Sequence, residues 1–88
     1  MAHVLARLSE VRLADIKKVL KADAPKHAEQ GLYLEHLWQN ADDSEEVLFL
    51  FRAKDINRAK RFIEKVNSQA FKENPLVNLP QMTFLDGK

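Results

Sequence analysis

The spacing of apolar residues changes several times along this chain, and each change marks a new element. From His3 to Leu8 the pattern alternates, with Val4, Ala6 and Leu8 on one side and His3, Leu5 and Arg7 on the other, which predicts a short strand. Leu13, Ile16 and Leu20 then recur at helical spacing, with Val19 beside them and Lys17, Lys18 and Lys21 turned to water. Asp15 in the first turn favours the helix dipole. Pro25 lacks a donor and crowds the carbonyl four residues back. The pattern therefore predicts a break or kink near Ala22 to Ala24. Asp23 would cap a short second helix that stops at Gly31.

Leu32 to Gln39, carrying Tyr33, His36 and Trp38, reads as a second strand. An acidic loop from Asn40 to Glu46 leads into Val47-Leu48-Phe49-Leu50-Phe51, a run whose unbroken apolar character predicts a strand covered on both faces, ending at Ala53. Asp55 is placed to cap a second long helix with a buried stripe of Ile56, Ala59, Phe62, Ile63, Val66 and Ala70. A short turn or helix is expected around Ser68 to Lys72. Pro75 to Pro80 should be extended or irregular, Gln81 to Leu85 a last strand, and Asp86-Gly87-Lys88 a polar tail.

The resulting order is β-α-β-β-α-β over one domain, residues 1–88. With right-handed crossovers it gives a ferredoxin-like α+β fold: a four-stranded antiparallel sheet with both helices on one face. The chain's own helices cover that face. A second copy is the simplest cover for the other, so a homodimer closing into a barrel-like assembly is expected.

Composition narrows the function. A chain of 88 residues buries a marginal core, which oligomerisation relieves. With no cysteine, disulfides, thiolate metal sites and thiol nucleophiles are excluded. No basic region followed by an apolar core opens the chain, and no apolar run approaches membrane-spanning length. A cytoplasmic protein without a membrane partner is the expectation. Net charge is +1, from 14 basic and 13 acidic residues interspersed, so nothing draws nucleic acid to it. Phe49 and Phe51 alternate as base-stacking aromatics do in RNA-binding modules of the same element order. The lead-in, however, is Glu45-Glu46 rather than basic, and the first strand has no aromatic.

The stretch from Gly31 through Asp55, with the motif Gln39-Asn40-Ala41-Asp42-Asp43-Ser44-Glu45-Glu46-Val47, resembles small stand-alone members of the dimeric α+β barrel superfamily. So do Asp55-Ile56-Asn57-Arg58-Ala59-Lys60-Arg61-Phe62 and the closing Pro80-Gln81-Met82-Thr83-Phe84-Leu85. These motifs are structural: a turn, a capped helix and a strand edge. The resemblance implies that fold and a dimer. It is compatible with cofactor-free monooxygenases like those of antibiotic biosynthesis, haem-degrading enzymes, polyketide cyclases, stress-responsive proteins and members without assigned activity.

Few residues offer chemistry. His3, His27 and His36 have no ligand spacing, so neither a metal site nor a cofactor is expected. His36 and Trp38 lie two apart on a strand and share a face, and Arg52 shares one with Leu48 and Leu50. If both sets point away from the helices, they line a cleft against the partner subunit. There Trp38 would hold a small aromatic or hydrophobic ligand, Arg52 an anionic group, and His36 a proton. The plainer reading makes them interface residues, since aromatics and arginine are enriched there. His27 follows the phase of the first helical stripe. It reads as a structural histidine, or as the candidate pocket residue on the helix side. Strict alternation sets Tyr33, Glu35 and Gln39 on the face opposite His36 or near the strand's edge, which disfavours a Glu35–His36 dyad. Ligand binding or a structural or stress-related role is thus the first expectation. Oxygenation or cyclisation of an aromatic substrate is the alternative.

Overall fold

The computed structural model of the chain describes residues 1–87; Lys88 of the expected polar tail lies outside the described residues. The elements are β1 (Ala2–Ser9), α1 (Leu13–Glu29), β2 (Leu32–Asn40), β3 (Asp43–Ala53), α2 (Ile56–Glu73) and β4 (Gln81–Leu85). One sheet has the order β2-β3-β1-β4, and every neighbouring pair is antiparallel. This is the ferredoxin-like α+β arrangement that the apolar pattern predicts.

The pattern also sets the layers. Val4 and Ala6 of β1 and Val47, Phe49, Phe51 and Ala53 of β3 are buried beneath Ile16 and Leu20 of α1 and Ala59 and Ile63 of α2. Each large apolar side chain so covered contributes roughly 1.5–3 kcal/mol. The intervening residues of β1 and β3, including Leu5, Leu48 and Leu50, are only half-buried, because nothing in the chain covers that second face. It is called the open face below.

Three expectations change. First, α1 is a single helix with Pro25 inside it, not two segments broken at Ala22 to Ala24. Proline deprives the helix of one bond, to the carbonyl of Lys21, but both residues are exposed, where water can satisfy that carbonyl. The stop at Gly31 holds: Gly31 has φ +72 and donates to the Ala28 carbonyl at 3.0 Å. Second, the acidic stretch is mostly strand. Only Ala41 and Asp42 turn, and Asp43 already pairs with Asn40. The turn is fastened by Asn40 Oδ1, which accepts from the Asp42 N–H at 2.9 Å. Third, α2 runs unbroken to Glu73, absorbing the separate turn expected at Ser68 to Lys72. Its start is as expected, with Asp55 Oδ1 accepting from the N–H groups of Asn57 and Arg58 at 3.0 and 3.2 Å.

Candidate functional site

Two regions carry the candidate residues, on opposite sides of the sheet. The first lies between the helices. Seven residues past Leu20, two helical turns, His27 returns to the buried stripe of α1. Its ring meets Phe51 of β3 edge-on, with centroids 5.1 Å apart and planes at 74°, and Phe62 of α2 at 6.4 Å and 76°. The two helices do not close over the sheet. Val19 and Val66, one on each helix, stay 53% and 47% exposed and line a cleft of about 570 Å³. Phe49, Phe51 and Phe62 give it aromatic walls, and Ile63 and Met82 extend the apolar surface. Its size suits a small molecule. A second cavity of about 650 Å³ opens along the unpaired edge of β2, and His27, Leu20, Leu32 and Phe51 line both.

Burial lowers the pKa of His27 below its ordinary 6.5, against a smaller upward pull from Asp23, one turn earlier in α1. Among the described residues the one imidazole hydrogen bond is that of His3 to Glu35, so both His27 ring nitrogens remain available. The cleft therefore holds an uncharged imidazole able to donate at one nitrogen and accept at the other.

The second region is the open face. His36 pairs with Leu50 and Trp38 with Leu48, and Arg52 stands beside Tyr33. The imidazole of His36 stacks on Trp38, with centroids 5.0 Å apart and planes at 14°. The guanidinium of Arg52 lies 4.8 Å over the Tyr33 ring. Glu35 accepts from His3 Nε2 at 2.9 Å and stands 3.9 Å from Arg52 Nε.

Strict alternation fails at this point. A bulge between Leu34 and His36 leaves Glu35 as an extra residue. Before it, Leu32 and Leu34 face the helices opposite Ala53 and Phe51; after it, Leu37 does so opposite Phe49. Tyr33 and Glu35, expected on the face opposite His36, therefore share the open face with it. Gln39, opposite Val47, stays on the helix side as expected. The slip has a signal in the sequence: the apolar positions Leu32, Leu34 and Leu37 change phase by one residue.

His36, Trp38 and Arg52 thus share one face, but His27 lies on the other side of the sheet, and the four cannot line one pocket. The sequence reading passed over Phe62 and Val66 as pocket residues. It placed them in the buried stripe of α2, which gives no sign that the helices stand apart. Among the described residues no cluster of three or more metal-ligating side chains is present.

Element order and sheet topology together define a ferredoxin-like α+β fold. A solved structure of an uncharacterized NIPSNAP domain protein from Burkholderia xenovorans is similar to this chain with a TM-score of 0.57, at 16% identity, covering 100% of this chain and 95% of that one. At that identity the likeness is one of fold. No family model matches the chain, and no curated protein does. No helix among the described residues is long and apolar enough to cross a membrane.

Proposed function

We propose that this chain forms a homodimer through the open face and binds a small hydrophobic or aromatic molecule in the interhelical cleft of each copy. The cleft carries the ligand half of this reading: an apolar, aromatic-walled space with a single available imidazole is the usual make-up of a small-molecule site. The dimer is supported by Leu5, Leu48, Leu50 and the 45%-exposed Trp38, an apolar patch that a second sheet would cover. The ligand differs in place from the sequence expectation, since it lies under the helices and not against the partner's sheet.

Nile red, a neutral dye that brightens in apolar surroundings, tests the ligand half. Its emission should rise saturably with protein. Val66→Trp, which fills the cleft from an exposed position, should weaken binding at least about tenfold, a loss of about 1.4 kcal/mol. Dye binding that is absent, or unchanged in that variant, would leave the fold only a structural or stress-related role.

A second reading, a cofactor-free monooxygenase or cyclase acting on an aromatic substrate, is favoured by one observation. His27 is neutral near pH 7 inside an apolar cleft, as a general base must be. Oxygen uptake or ring closure that disappears in His27→Phe would establish it, and turnover surviving that change would remove it.

A further inference from the structure

We infer that the interhelical cleft selects uncharged aromatic molecules bearing one hydroxyl group, held by a hydrogen bond to His27, and rejects the matching carboxylates; this rests on the ligand-binding reading above. The charges around the cleft carry the inference. Its walls are mainly aliphatic and aromatic; Gln30 and Asn67 are the uncharged polar residues of the lining, and His27 is the polar group set against Phe51 and Phe62. The charged residues in its lining are two acids, Asp23 and Glu29, against one base, Lys26. A carboxylate entering here would shed its hydration, meet no buried cation, and be repelled by the excess acid. Arg58 keeps its charge but is exposed and outside the lining, where its guanidinium donates to the backbone carbonyl of Glu29 at 2.9 Å. Arg52, the cation the sequence offered for an anionic ligand, lies across the sheet. Burial also holds the imidazole in its neutral form. A neutral hydroxyl meets none of these penalties. It can donate to one ring nitrogen or accept from the other while its ring packs on the phenylalanines.

The experiment compares naphthalene, 2-naphthol and 2-naphthoate at pH 7.5, followed by the NMR shifts of the Val19 and Val66 methyl groups. These report from the cleft walls. The naphthol should bind about tenfold tighter than naphthalene, the worth of one hydrogen bond, and the naphthoate no tighter than naphthalene. In His27→Phe the naphthol should lose its advantage while naphthalene still binds. His27→Gln, which keeps a donor and an acceptor, should retain part of it and serves if the phenylalanine variant does not fold. Tighter binding of the naphthoate, equal binding of all three, or a naphthol preference that survives in His27→Phe would each overturn the selectivity and leave the cleft as a ligand site. Failure of all three to bind would remove the ligand-binding reading and the selectivity with it.

Discussion

His27 owes its character to its neighbours rather than to a motif. Its place in the α1 stripe was legible two turns beyond Leu20, because helical phase survives Pro25. Its contacts with Phe51 and Phe62 come from a strand and a helix far away in sequence, and no local pattern announces them. The consequence is a pH dependence whose sign follows from the lowered pKa. Below 6.5 the unfolded imidazole takes up a proton before the folded one does, so the folded state loses stability as pH falls. The loss ends once pH drops below the depressed folded value. Urea midpoints between pH 7.5 and 5.5 should therefore fall more steeply for the wild type than for His27→Gln. Parallel profiles would show that burial does not depress this group.

At the scale of elements, β2 decides which face each candidate residue occupies. The extra residue Glu35 sits between Leu34, paired with Phe51, and His36, paired with Leu50. Those partners are themselves adjacent in β3. Deleting Glu35 would therefore remove this irregularity, leaving the shift between Gln39 and Asn40, without moving any other side chain to a new face. The ion pairs lost with it are partly exposed and worth about 0–1 kcal/mol in total. The deletion variant should fold, with a urea midpoint lowered by no more than the equivalent of about 1 kcal/mol. Deleting Leu48 from the regular β3 should instead prevent folding, because it inverts the residues on one side of the cut. A chain that unfolds on loss of Glu35 would show that the bulge itself is needed. The sequence held the evidence for the slip in Leu32, Leu34 and Leu37. It could not say where the extra residue sat, since that depends on the partners in β3.

On the scale of the whole molecule, the sheet divides two tasks. One face joins the helices and forms the cleft; the other presents Leu5, Leu48, Leu50 and Trp38. Trp38 is the chain's one tryptophan, and it lies on the face away from the cleft. Its fluorescence should therefore report assembly rather than ligand. Emission should shift to the red on dilution as the dimer dissociates, and should not respond when the cleft is filled. Leu50→Asp sets a carboxylate in the middle of the proposed interface and should give a monomer in sedimentation, because an unpaired buried charge costs several kcal/mol. A wild-type chain that sediments as a stable monomer at high concentration would remove the dimer.

The sequence by itself determined the order of elements, the Asp55 cap, the Gly31 stop and the alternation that divides β1 into two faces. Those features depend on local backbone preference and on periods of two and 3.6 residues, which are written along the chain. It placed His36 and Trp38 in one set and Arg52 with Leu48 and Leu50 in another, and the β2–β3 pairing, bulge included, brings the two sets to one face. Only the tertiary structure decided that α1 survives Pro25 and that Glu35 is the bulged residue. It alone parted the helices over Phe51 and put His27 across the sheet from the other three candidates. Those outcomes depend on which distant residues meet, and on how two helices of given width fit over four strands, which no single segment encodes.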